Sequence, residues 1–352
     1  MIKELLASRK LPPLMSREEM LTVLFEQEYG CLPALPEKTE WIVEQNHVPG
    51  VIWYGNFCSG NAVPYKITGR FTVNGREFSF PFYAVIPVSD EKHPFIISIN
   101  FHRESPEIWM PTEEIIENGF ALFHFRYTDI TCDANDFTDG LAGVLYEDGK
   151  RGPTDAGKIA MWAWAAQRVM DYAQTLDCLD FTCAGVCGHS RLGKTALVTA
   201  AADERFTFCY SNDSGCSGAA ITRDKRGESN QVICTAFPHW FCENYAQYME
   251  TGAHSLPFDQ HWLIASIAPR YVLIGSAEND LWADPESEFL SAAAASPAFE
   301  AAGADGLIAD DALPVHDAYL PDGHIGYHIR PGEHYFGRVD WNRFMGFMKK
   351  HR

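Results

Sequence analysis

Residues 181–202, FTCAGVCGHSRLGKTALVTAAA, constrain the fold of this chain more than any other stretch. Phe181, Cys183, Val186 and Cys187 are apolar or small, as a parallel strand buried on both faces requires. Residues 188–193, GHSRLG, predict a sharp turn, and beyond it Ala196, Leu197 and Ala200 fall at helical spacing. Strand, turn and helix in that order place the turn at the C-terminal edge of a parallel sheet, where α/β proteins keep their reactive groups. Two mechanisms fit the turn. In one, Ser190 is a nucleophile on a strand-to-helix elbow, with the N–H of Arg191 aimed at a developing oxyanion. The usual G-x-S-x-G wants glycine at 192, whereas Leu192 stands there and glycine comes at 193. In the other, Gly188, Gly193, Lys194 and Thr195 satisfy G-x-x-x-x-G-K-[ST], the loop that cradles nucleotide phosphates. The turn alone does not choose between them.

A chain of 352 residues can bury a large core, as one α/β domain or two small ones. Its formal net charge of −19 disfavours nucleic acid and anionic membranes as partners, since both need a basic surface. The ten cysteines are scattered without a C-x-x-C, several of them inside apolar runs where the thiol acts as a small hydrophobe. The N-terminal apolar run is too short for a signal peptide, and no stretch approaches a membrane span. Together these predict a reduced, cytoplasmic protein.

Ser16 and Glu19 form a capping box opening a helix over 20–28, closed by Tyr29-Gly30. Residues 41–45 and 65–88 read as strands, with Asn74-Gly75 as a hairpin turn. Residues 94–101, PFIISINF, and 120–125 read as inner strands on either side of a helix at 111–118. Residues 129–151, polar and rich in Gly and Asp, predict a surface loop. A helix over 154–176 presents Ile159, Trp162, Ala166, Val169, Met170 and Tyr172 as an inward stripe. Further strands are predicted at 206–210, 270–276 and 327–330, and helices at 286–302 and 341–351. This alternation predicts an α/β fold, a mostly parallel central sheet with helices on both faces in a three-layer sandwich. No repeat or linker divides it. One domain is therefore expected over 1–352, residues 1–90 completing the sheet and 90–352 forming the catalytic core.

Serine hydrolysis needs a base for the hydroxyl proton and an acid to orient that base. In α/β-hydrolases these follow in the order Ser, Asp or Glu, His, each on a loop after its own strand. Ser190, then Asp213 or Asp280, then His334 give that order, with Glu278 a further candidate acid. A phosphate-binding enzyme would instead need an apolar strand ending in Asp to hold magnesium. The strand at 271–275 runs on through Ser276 and Ala277 before any acid. His324 and His328 have a spacing that marks some zinc sites. Without a neighbouring Cys or Glu-x-x-His they are expected to pack in loops, and no metal or other cofactor is implied.

Four stretches resemble one family in one order. GHSRLGKTA at 188–196 is similar to the G-C-S-R-x-G-K-G-A signature of glucuronoyl esterases (carbohydrate esterase family fifteen), with His189 for Cys and Thr195 for Gly. Residues 212–218, NDSGCSG, resemble that family's acid-bearing loop. LPFDQHWLIASIAPR at 256–270 resembles its L-P-F-D-x-H…I-A-P-R segment, and DLWADP at 280–285 its Trp-bearing loop. The resemblance spans about residues 90–350 and favours the hydrolase over the nucleotide binder.

It implies an α/β-hydrolase fold and cleavage of (4-O-methyl-)glucuronate esters of xylan-derived saccharides. Ser190 would be the nucleophile, His334 the base, and Arg191 the oxyanion partner through its N–H and guanidinium. Lys194 would bond uronate hydroxyls and Trp282 would pack on the sugar ring. The family commonly has Glu where Asp213 stands, which leaves Asp213, Asp280 and Glu278 open as the acid. A sugar-binding Glu of fungal members has no match near Trp240, where 235–237 read TAF, and Glu228 is its substitute. Trp240 and Trp282 fit either a core position or a ligand platform. Acetyl ester removal from xylan is the rival within the class. A phosphate-binding loop at 188–195 or an inactive sugar-binding module are the rivals outside it.

Overall fold

The computed structural model describes residues 1–47, 58, 60–103 and 109–352. Its centre is a ten-stranded sheet in the order β1-β2-β3-β5-β4-β6-β7-β8-β10-β9. The strands are β1 (Lys38–Gln45), β2 (Ala62–Val73), β3 (Arg76–Pro87), β4 (His93–Asn100), β5 (Ala121–Arg126), β6 (Leu179–His189), β7 (Phe208–Asn212), β8 (Tyr271–Ala277), β9 (Tyr319–Leu320) and β10 (Ile325–Arg330). From β5 through β4, β6, β7 and β8 to β10 the pairs are parallel, and both margins are antiparallel. The β2–β3 hairpin turns at Asn74 and Gly75, both at positive φ, the pair of conformations a two-residue turn matched to strand twist demands.

All eight residues of β4 are buried, and the strand period divides them between two cores. Phe95, Ile97 and Ile99 join the layer formed by helices Lys158–Ala173, Arg191–Ala202 and Pro285–Ala301. Ile96 joins Cys183, Cys187, Phe208 and Leu273 against the closing helix Arg338–His351, through Trp341, Phe344 and Phe347. Helices therefore cover both faces of a mostly parallel sheet, the α/β-hydrolase architecture. Among the described residues no helix is long and apolar enough to cross a membrane.

Two expectations change. Helix Lys158–Ala173 is not striped: every residue except Asp171 is buried, because the sheet packs on one side and the Arg191–Ala202 helix and N-terminal segment close the other. Residues 129–151 are not a surface loop throughout. They contain the helix Gly140–Leu145, and Ile130, Thr131 and Leu141 are buried. The capping box at Ser16 opens the helix Arg17–Leu24, which widens into a π-turn at Phe25–Tyr29 before Gly30.

Candidate active site

The turn at 188–193 is an elbow. Ser190 follows β6 and caps the helix Arg191–Ala202 at φ 59°, ψ −126°, a conformation few non-glycine residues adopt and one that surrounding structure must enforce. Two glycines make it fit. A Cβ on Gly188 would lie 2.2 Å from the carbonyl oxygen of Leu192, and one on Gly193 would lie 3.0 Å from Cβ of Ser214. This accounts for the displaced glycine, since at 193, not 192, the helix meets the β7 loop, while Leu192 is buried in the core. Gly188→Ala should therefore destabilise the fold by about 3 kcal/mol. A urea midpoint unchanged from wild type would show that strand and helix separate without cost. The Ser190 N–H is held by Asn212, whereas the Arg191 N–H, first in the helix, has no intrahelical acceptor.

The elbow is not a phosphate cradle. Lys194 Nζ donates to the carbonyls of Ser214 and Cys216, both at 2.5 Å, and the Thr195 hydroxyl donates to Arg191 O at 2.9 Å. The cation and hydroxyl that would meet a phosphate and its magnesium are both turned into the protein.

Ser190, Asp213, Asp280 and His334 follow β6, β7, β8 and β10, neighbours in the sheet, at the C-terminal ends of their strands. All four line one cleft of about 360 Å³. His334 Nδ1 and Asp280 Oδ2 are 2.6 Å apart. A carboxylate only accepts, so Nδ1 donates its hydrogen to Asp280 and, in the neutral ring, the lone pair is on Nε2. Burial pushes the Asp280 carboxyl up, but the His334 hydrogen bond and charge, with the Ala283 N–H, hold it below its ordinary value. Asp213 is held elsewhere: its Oδ2 meets Arg330 Nη2 at 3.1 Å and the Tyr335 N–H at 3.4 Å, and its Oδ1 has no hydrogen-bond partner among the described residues. Burial, reinforced by the Glu288 charge, raises the Asp213 pKa well above normal despite Arg330. Glu278 bonds His316 at 3.0 Å. Of the three candidate acids, Asp280 is the one the fold brings onto His334.

Asp213, Asp280 and His334 each bring a donor atom within 4.8 Å of the other two, a spacing open to a metal ion. Asp280 is already bonded to His334 and Asp213 to Arg330, an arrangement suited to proton transfer. His324 stacks on Tyr271, and His328 is buried in β10 against Tyr210 and Arg343.

The remaining walls include Arg191, Lys194, Glu228, Phe237, Trp240 and Trp282. Trp282 is 56% exposed, an open aromatic face at the rim. Trp240 is buried, with Phe237 stacked on its ring at 3.9 Å, and forms wall rather than platform. Glu228 Oε2 lies 3.8 Å from Lys194 Nζ, the remaining direction open to that ammonium. Burial lowers the Lys194 pKa, against the nearby Glu228 charge.

Two residues of the site were not anticipated. His189 is buried beside the nucleophile, its ring 4.3 Å from that of His334, with Nδ1 2.6 Å from Asn212 Oδ1. Burial and the His334 charge push it down to about 3, so it is a neutral ring that His334 packs against. Asp133, from the 129–151 segment, bonds Arg191, Trp240, His239 and Tyr127. No periodicity marks such a residue, because all its partners but Tyr127 lie far along the chain.

A hydroxyl on a strained elbow, a backbone N–H without an intrahelical acceptor beside it and an imidazole oriented by a carboxylate are the parts that acyl transfer through a serine requires. The sequence profile described as "Glucuronyl esterase, fungi" matches residues 70–303. Carbohydrate esterase MZ0003, from an unknown prokaryotic organism, is 41% identical over 241 residues, 68% of this chain and 55% of its own. A 4-O-methyl-glucuronoyl methylesterase of Schizophyllum commune is 26% identical over 298 residues, 82% of this chain and 68% of its own. The chain thus spans little more than half the length of the first of these relatives. Among solved structures, a glucuronoyl esterase from Solibacter usitatus superposes with a TM-score of 0.83 at 31% identity, covering 95% of this chain and 91% of that one. A promiscuous CE15 esterase from the marine bacterial metagenome superposes with a TM-score of 0.80, also at 31% identity, over 96% and 91%.

Proposed function

Because the chain belongs to the glucuronoyl esterase family, carbohydrate esterase family 15, we propose that it is a serine carboxylester hydrolase acting on esters of glucuronic acid. The observation that carries this reading is the 2.6 Å His334–Asp280 bond in the cleft that also holds the Ser190 elbow.

The reaction runs in two halves. Ser190 Oγ attacks the ester carbonyl as His334 Nε2 takes its proton, and Asp280 keeps Nδ1–H in place and stabilises the imidazolium. The Arg191 N–H and guanidinium meet the oxyanion. The tetrahedral intermediate collapses, the C–O bond to the alcohol breaks, and Nε2 returns the proton to the departing oxygen. Water then gives a proton to Nε2 and attacks the acyl-enzyme, and the uronic acid leaves with Ser190 restored. Trp282 covers the sugar ring, while Glu228, held from behind by Lys194, takes its hydroxyls. By that account Trp282→Ala raises KM for benzyl glucuronate about tenfold with kcat little changed, the loss of one ring contact. An unaltered KM would place the sugar elsewhere.

Acetyl ester removal is the second reading, favoured by the promiscuity attributed to one structural relative. Turnover of benzyl glucuronate against p-nitrophenyl acetate and acetylated xylan separates the two: the uronate ester is expected to have the higher kcat/KM, and the reverse order would move the assignment. A cytoplasmic site of action is supported by ten cysteines without a disulfide and suits small imported uronate esters better than polymer. Recovery of the protein from a secreted fraction would overturn it.

A further inference from the structure

Resting on that reading of the site, we propose that Asp133 is a positioning residue for the esterase reaction, fixing the Arg191 guanidinium against the Trp240 wall. Its carboxylate accepts from four side chains on three segments, those of Tyr127, Arg191 and the adjacent His239 and Trp240. Oδ2 takes Arg191 Nη1 and, at 2.9 Å, the Tyr127 hydroxyl; Oδ1 takes Trp240 Nε1 at 2.7 Å and His239 Nε2 at 3.0 Å. The Arg191 Cζ lies 4.7 Å from the Trp240 ring centre, 5.5 Å from that of Phe237 and 5.8 Å from that of Phe101. Three rings bound the guanidinium and one carboxylate pulls on it. Burial opposes ionisation of Asp133, but the His239 and Trp240 hydrogen bonds and the Arg191 charge keep its pKa well below the usual carboxylate range.

The loop carrying Asp133 is itself pinned. Asp139 accepts from the Cys132 N–H at 2.9 Å and the Thr131 hydroxyl at 3.0 Å. Lys158, wholly buried at the start of its helix, donates to the Thr131 hydroxyl at 2.6 Å and to Asp136 O at 2.5 Å. The carboxylate is thus presented from a fixed backbone to a residue adjacent to the nucleophile, and an oxyanion partner gains most from being held before the reaction begins. Asparagine cannot replace it. One of its two heteroatoms would be an NH₂ facing donors, so either the Arg191 and Tyr127 pair or the Trp240 and His239 pair would lose its acceptor.

The test compares wild type, Asp133→Asn, Arg191→Ala and the double variant on benzyl glucuronate. It also measures the rate at which a fluorophosphonate modifies Ser190, forming the Oγ–P bond with loss of fluoride. Asp133→Asn is expected to lower kcat and the modification rate about 10- to 100-fold, with KM within about threefold of wild type. Once Arg191 is alanine, the same substitution should cost no more than about twofold. A wild-type kcat in Asp133→Asn, or losses that multiply in the double variant, would overturn the proposal. Thermal midpoints identify a variant that does not fold. In that event Arg191→Lys, which keeps the charge but loses the fork, is expected to show the same kcat loss, and a wild-type kcat there overturns the proposal equally. A wild-type protein that hydrolyses no uronate ester yet is modified at Ser190 refutes the substrate assignment alone, and the modification rates still decide Asp133. A Ser190 inert to the phosphonate refutes both.

Discussion

Ser190→Ala is expected to lower kcat on benzyl glucuronate by about 10⁵- to 10⁶-fold, leaving only the rate that substrate binding and the oxyanion donors support by themselves. Without Oγ there is nothing for His334 Nε2 to deprotonate and no atom to carry the acyl group. The loss is chemical, so the fold should persist. The hydroxyl makes no capping bond to its helix, and the strained backbone at 190 is imposed by Gly188 and Gly193 packing that alanine does not disturb. A thermal midpoint close to wild type therefore accompanies the loss. Residual turnover within tenfold of wild type would remove Ser190 from the mechanism.

The second large effect separates two carboxylates. Asp280→Asn should lower kcat about 10³- to 10⁴-fold, because an amide in place of the acceptor on Nδ1 allows the tautomer that puts the proton on Nε2, where it cannot take another. Asp213→Asn should cost less than about tenfold, since Asp213 is bonded to Arg330 and Tyr335 rather than to His334. The double variant should resemble Asp280→Asn. If Asp213→Asn were instead the damaging change, the loop after β7 would have kept the orienting role and the Asp280 contact would be incidental.

The sequence carried the parts of this site that are local and left open the parts made by distant encounters. The elbow was legible because strand, turn and helix are contiguous, and His334 because its loop leads into the closing helix. The choice of acid was not. Asp213 and Asp280 follow adjacent strands, β7 and β8, and only the placement of Arg330 at the end of β10 decides which one is free for the imidazole. Trp240 could not be assigned to wall or platform, since that depends on Phe237 covering its ring. Asp133 was hidden for a different reason. Gly/Asp-rich segments are read as turns, and its partners Arg191 and Trp240 are 58 and 107 positions away. The helix at 158–173 misled in the opposite sense: a stripe can be drawn on it, but Trp162 and Trp164 are both fully buried, and layers on both sides leave it no wet face.

The central claim is that one glucuronoyl–Ser190 intermediate stands between substrate and product. It is tested by hydrolysing benzyl, methyl and phenylpropyl glucuronate in buffer containing ethanol and measuring the ratio of ethyl glucuronate to free glucuronic acid. A shared acyl-enzyme predicts one ratio for all three esters, because the leaving alcohol has gone before water and ethanol compete. A ratio that changes with the leaving alcohol would mean direct attack on the ester and would contradict the account.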